Sequence, residues 1–269
     1  MNKTYSNEYS WVGSQKAYLD EINIFTVEHV VLGRFGGNSS AGQTKNEDGC
    51  IIWVDRERNY EFVVLLDAHQ TAESAELVVA TLEQHKKELT ALLSLQVSES
   101  LTQLNQFILS IFQNKEFKEK CRNVQGETAC LIVLRKEQFL WWFSIGDCPL
   151  YLHHSELAFL QEFQLNQRSF YQWVGRVNTF ELPVPCYSTG TKELRQGTNH
   201  IFLTTDGLVE CPNTNFTNHK EIFHPFQNQS NEESVSWLLN EIKVKNVRDS
   251  TTVISWFVEN ELAASQPSV

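Results

Sequence analysis

The chain has 269 residues, 41% of them hydrophobic, with 17 Phe, 7 Trp and 7 Tyr, enough apolar material for a large packed core and too much for a disordered or fibrous chain. Its formal net charge is −11, and Asp and Glu are spread along the chain, which argues against nucleic-acid backbones or anionic membranes as partners. The 6 cysteines show no C-x-x-C spacing, which argues against a disulfide framework or a thiolate zinc site and suits the reduced thiols of a cytoplasmic protein.

The N-terminal stretch MNKTYSNEYSW has no continuous apolar segment of the kind a leader needs, and the apolar runs elsewhere are shorter than a membrane span. No linker-like, low-complexity or repeated segment divides residues 1–269, so one domain is expected. Residues 24–32 are partly alternating and β-branched and read as a strand, followed by a Gly/Asn/Ser-rich loop over 33–49. CIIWV (50–54) and residues 60–66 read as a hairpin turning at DRERN (55–59). Helical spacing runs from 71 to 95, and a second helix is expected from 98 to about 112.

Three strands follow at 129–134, 139–145 and 150–153, and residues 157–200 read as short strands and irregular chain. A strand at 200–204 runs into Asp206-Gly207, residues 231–243 are helical, and 251–258 form a last β-branched strand. This order predicts an α+β fold of two packed, mainly antiparallel β-sheets, a β-sandwich with helices outside. Trp141-Trp142 reads as one core ring and one outer ring. His153-His154 reads as packing or capping, and Arg168 and Arg176 as candidates for a substrate-facing flap.

Acidic residues recur at the edges of the apolar strands. Glu47-Asp48 precedes CIIWV, Asp67 follows FVVLL, Asp147 follows FSI-Gly, Asp206 follows IFLTT, and Asp249 precedes TTVISWFV. Any one of them also reads as a turn residue, and Asp67 as a cap for the next helix. Gathered at one rim of a sandwich, however, they would repel and raise one another's pKa unless a cation sat among them. Hard divalent ions such as Mg²⁺ and Mn²⁺ take such oxygen ligands.

The series NED (46–48), DAH (67–69), GETA (126–129), GD (146–147), TDG (205–207) and RDSTTVI (248–254) resembles the metal-dependent protein phosphatase family, the type 2C or PPM Ser/Thr phosphatases. The motifs occur in order over about 24–258. The resemblance implies a sandwich flanked by helix pairs, two bound Mn²⁺ or Mg²⁺ ions with room for a third, and phosphorylated proteins as substrates. It implies hydrolysis without a phosphoenzyme, by a water that two metal ions activate. By position, Asp67 would bridge the metals, the Ala68 carbonyl would ligate one, and Asp206 and Asp249 would hold the other. Asp48 with Glu47 would bind metal directly or through water, Asp147 would serve the third ion, and His69 would be the general acid, a role imidazole suits near neutral pH. A monomer that contacts neither nucleic acid nor membrane is expected.

Three departures from the family pattern stand out. Ala68 and Gln70 stand where Asp-Gly-His-Gly is usual, and Ser250 follows Asp249 in place of Asn. Gln43 occupies the usual place of the phosphate-gripping arginine, leaving Lys45 or Arg34 to substitute. Alternatives to a protein phosphatase are a catalytically impaired module of the same fold that binds a partner, and a metal-dependent hydrolase of small phosphate esters.

Overall fold

The computed structural model describes residues 7–266; residues 1–6, part of the stretch read as lacking a leader, and 267–269 lie outside the described residues. The elements follow in the order β1 (Glu8–Val12), β2 (Ile22–Val27), β3 (Val30–Phe35), β4 (Gly49–Asp55), β5 (Tyr60–His69), α1 (Glu73–Gln84), α2 (Lys86–Leu93), α3 (Val97–Gln113), α4 (Lys115–Asn123), β6 (Glu127–Lys136), β7 (Phe139–Ile145), β8 (Leu150–His153), α5 (Ser155–Phe159), β9 (Val174–Gly175), β10 (Ser188–Glu193), β11 (Gly197–Thr204), α6 (Asp206–Val209), α7 (His219–Phe223), α8 (Asn231–Val244) and β12 (Thr251–Asn260). One sheet runs β1-β4-β5-β6-β7-β10 with β9 added to β6, and the other runs β2-β3-β12-β11-β8. Neighbouring strands in both sheets are antiparallel.

Strand alternation decides which side chain goes where. In β5, Val63 and Leu65 point between the sheets, where Ile52, Leu131, Leu203, Ile254 and Trp256 meet them. Phe62, Val64 and Leu66 point outward, under Val78, Leu82, Leu104, Ile108 and Phe112 of α1 and α3. Beneath α8, Val31, Phe202 and Val253 of the second sheet pack against Val235, Leu238, Leu239 and Ile242. Both sheets are thus covered on both faces, which is why β5 is apolar at every position from Phe62 to Leu66. Each such fully buried side chain contributes about 1.5–3 kcal/mol relative to exposure.

The structure refines several expectations. The single strand over 24–32 is a hairpin of β2 and β3, turned at Glu28 and His29, with Glu28 at φ +56°. The helix expected over 71–95 divides at His85, whose ring stands edge-on to Phe107 at 5.7 Å. α4 and β1 were not anticipated. Asp67 does not cap α1: the N-cap is Ala72, with no side-chain cap, and Asp67 lies inside β5. All six cysteines are free, and five of them are buried. His154 caps α5 through Nδ1, while His153 stacks between Phe163 and Phe223. Among the described residues, no helix is long and apolar enough to cross a membrane.

Candidate metal centre

Asp67 and His69 share the parity of Val63 and Leu65, so both side chains project into the space between the sheets at the end of the sandwich. Two close approaches bring partners to Asp67. Gly146, at φ +88°, lies so near Ala129 that a Cβ would come within 2.5 Å of the alanine Cβ. Ala129 is the register partner of Asp67, so this contact sets Asp147 beside it. Gly207 abuts the Ser250 carbonyl, where a Cβ would lie at 2.3 Å, and this draws the start of α6 against the 249–250 segment. As a result, one carboxylate oxygen each from Asp67, Asp147 and Asp206 lies within 4.8 Å of the other two. The Asp206 amide also donates to Asp67 Oδ2 (3.4 Å).

Among the described residues, no basic side chain forms an ion pair with this cluster. Asp147 Oδ1 and Asp206 Oδ1 are buried without a hydrogen-bond partner. Arg168 pairs with Glu210 and donates through Nε to the Asp147 backbone carbonyl (2.8 Å), so its charge is felt by the Asp147 carboxylate without a hydrogen bond to it. The result is a set of raised pKa values. Burial and the charges of Asp206, Asp48, Asp249 and Asp147 push Asp67 well above the ordinary carboxylate range. Asp206 is pushed up to about 6 by burial and by Asp249 and Glu210. Asp147 is raised by burial and by Asp206. Buried charges left unpaired cost several kcal/mol each. The unpartnered oxygens and the all-oxygen donor set fit a hard divalent cation, which removes that cost directly.

The remaining expected ligands take different places. Asp48 shares the inward parity of Cys50 and Ile52, but its carboxylate goes to hydroxyls. Ser250 donates to Oδ1 at 2.9 Å, and Thr252 and Thr205 to Oδ2 at 2.7 and 3.4 Å. Burial raises it to about 8 against those hydrogen bonds, with help from the Asp249 charge. It stands behind the trio and outside it. Asp249 is at the solvent-exposed rim, raised by the protein packed around its carboxylate and eased by His69. Glu47 pairs with Lys45. Successive carbonyls along a strand alternate sides. The His69 carbonyl abuts Gly126 on the β6 side, so the Ala68 carbonyl faces the side where β4 begins only at Gly49, opposite Leu66.

His69, Ala68, Gln70, Glu47 and Asp249 line a cleft of about 380 Å³ together with Gln43, Lys45 and Arg248. The His69 ring stands edge-on to Trp173 at 4.6 Å. Gln70, in the usual glycine place, has φ +71°. Arg34 does not reach the cleft and is corrected as a phosphate contact: it is 1% exposed and donates to Tyr9 Oη and Asn23 Oδ1, both at 2.6 Å. Its guanidinium lies 4.6–5.2 Å from the ring centres of Tyr9, Trp11 and Tyr18. A basic residue in a strand covered on both faces is buried unless it lies at an end, and Arg34 is sealed in by aromatic rings. Arg248, Trp173 and the hydroxyls of Thr205 and Thr252 were not singled out from the sequence, and Ser250 was noted only as standing in the usual place of Asn. Alternation inward along β12, through Ile254 and Trp256, already places Thr252 facing Asp48.

No family model matches the chain, and no curated protein matches it. Solved structures do. A bacterial serine phosphatase is 15% identical with a TM-score of 0.64, over 87% of this chain and 99% of that one. The serine/threonine phosphatase Stp1 from Staphylococcus aureus is 15% identical with a TM-score of 0.63, over 89% and 94%. RsbX, solved in complex with magnesium, is 15% identical with a TM-score of 0.55, over 88% and 100%. The chain therefore has the fold of the bacterial Ser/Thr phosphatases, in agreement with its six-motif resemblance to the type 2C family.

Proposed function

We propose that the chain is a metal-dependent protein serine/threonine phosphatase acting on phosphoproteins in the cytoplasm, as a single domain. The observation that carries this reading is the convergence of Asp67, Asp147 and Asp206 on one point with two buried oxygens unpartnered. Free thiols throughout suit a reducing compartment.

Asp67, Asp206 and Asp147 would hold Mn²⁺ or Mg²⁺, with Asp249 and the Ala68 carbonyl at the flanks and Asp48 and Glu47 behind or through water. Bound divalent cations supply a water made acidic enough to attack phosphorus and neutralise charge on the phosphoryl oxygens. The chain's own residues do the rest. Asp48, gripped by Ser250, Thr252 and Thr205, fixes the position of the 249–252 segment relative to β4 and so keeps Asp249 at the cleft. His69, held by Trp173 at the cleft wall, gives its proton to the serine or threonine oxygen as the P–O bond breaks. The water's oxygen would form the new P–O bond as the ester P–O bond breaks, its proton passing through solvent to restore the His69 imidazolium, and alcohol and inorganic phosphate would leave.

Hydrolysis of a phosphothreonine peptide with Mn²⁺ tests this. Turnover that stops with EDTA and in Asp206→Asn is expected. The second reading, a partner-binding module that has lost turnover, is favoured by Gln43 in the arginine place. Metal binding without hydrolysis would replace the first reading with it. Hydrolysis of small phosphorylated metabolites in preference to phosphopeptides would instead point to a small-ester hydrolase.

A further inference from the structure

A phosphate ester bound in this cleft needs a cation that is free to meet it, and the usual arginine is missing. Gln43 is buried and turns its Oε1 to the neighbouring Thr44 amide at 3.1 Å. Lys45 is taken up by Glu47 and by the Gln70 carbonyl. Arg34 is sealed behind aromatic rings. Of the basic residues that line the cleft, Arg248 alone remains: it stands beside His69 and Asp249, is exposed, and makes no hydrogen bond or ion pair through its guanidinium among the described residues.

Its backbone is held next to Gln43. A Cβ on Gly37 would lie 2.1 Å from the Arg248 carbonyl and 3.0 Å from Gln43 Cγ, so three segments meet there. The Asn38 amide donates to the Val247 carbonyl (2.9 Å), Asn38 Nδ2 to the Lys243 carbonyl (3.2 Å), and Ser40 Oγ to Asn246 Oδ1 (2.6 Å). These contacts fasten the loop before Gln43 to the turn before β12. We infer that Arg248 is the phosphate-binding cation of the cleft, presented from the neighbouring segment in place of an arginine at position 43. This rests on the phosphatase reading. A guanidinium also offers the paired donors that match phosphate oxygens, which an ammonium does not.

The test uses the full chain with Mg²⁺ and two readouts: inorganic phosphate binding by calorimetry, and kcat and KM on p-nitrophenyl phosphate and a phosphothreonine peptide. Arg248→Ala should weaken phosphate binding and raise KM by about 10–100-fold, the range of one or two charge-assisted hydrogen bonds, with kcat changed less. Arg248→Lys should recover part of the loss, and Gln43→Arg in the Arg248→Ala background should recover most of it. Mg²⁺ affinity measured in each variant confirms an intact site. Wild-type turnover with Arg248→Ala within twofold in both readouts overturns the inference and leaves the phosphatase reading standing. No wild-type turnover, but phosphate binding lost in Arg248→Ala, overturns the phosphatase reading and supports Arg248. Neither turnover nor phosphate binding in the wild type overturns both.

Discussion

β5 carries a buried carboxylate at each end of one face. Glu61 and Asp67 share the inward parity of Val63 and Leu65, and six residues of strand separate them by about 20 Å. Around Glu61 the fold supplies every partner: Arg135 opposite it in register donates through both Nε and a terminal nitrogen, His29 Nε2 lies at 3.0 Å, and Trp256 Nε1 at 3.1 Å. Burial works against ionisation there, yet His29 and Arg135 outweigh it and hold Glu61 below its usual range. Around Asp67 the register partner is Ala129, the neighbours are other carboxylates, and its pKa is driven far upward. The same strand and the same chemistry therefore satisfy a carboxylate where it is structural and leave it unsatisfied where an ion from outside would complete it.

Breaking the satisfied end has the largest effect on the fold. Glu61→Ala leaves the Arg135 guanidinium buried without its partner and should cost about 3–5 kcal/mol in urea unfolding, while divalent-cation affinity stays within twofold. At the other end the pattern reverses. Asp67→Asn should lower cation affinity by about 100-fold or more, beyond what loss of an outer partner brings. It should also raise the melting temperature of the metal-free protein at pH 8, because the cost of either holding a proton or carrying a buried charge at that carboxyl is gone. Equal behaviour of the two variants in calorimetry and melting would end the contrast.

The pH response of the metal-free protein sharpens it further. Asp67, Asp206, Asp48, Asp147 and Asp249 all hold protons in the folded state at pH values where the unfolded chain, with aspartates near 3.8, has released them. Stability from these groups is therefore complete below about pH 4 and is lost as pH rises through about 6 for Asp206 and about 8 for Asp48. Scanning calorimetry should show the melting temperature falling between pH 5 and pH 8 without metal, and Mn²⁺ raising it most at pH 8. The smallest effect is local. Gln70 sits at φ +71°, a region that costs a side chain about 1 kcal/mol, so Gln70→Gly should leave stability unchanged or raise it by about that much.

The three converging aspartates were legible because each interrupts a strand end that is otherwise apolar, and a sandwich gathers strand ends at its rims. For Asp48 only the inward side of Thr252 was legible, from alternation along β12; that Thr205, Ser250 and Thr252, all more than 150 positions away, close on its carboxylate follows from the packing of the two sheets. Arg34 was misread for a similar reason: its aromatic cage comes from β1, β2 and the segment around Tyr18, and β1 itself went unseen. α4 escaped because KEFKEKCRN offers a narrow stripe, Phe117 and Cys121, among charged residues. The β2–β3 turn escaped because Glu28 adopts a conformation that usually announces itself through glycine or asparagine.

The central claim is that Asp67, Asp147 and Asp206 surround a divalent cation. Anomalous diffraction from crystals grown with millimolar Mn²⁺ measures this directly. The account requires a manganese peak bonded to carboxylate oxygens of Asp67 and Asp206 at the inter-sheet rim. Ordered carboxylates with no peak among them, or a peak only at surface acidic residues elsewhere, would contradict it.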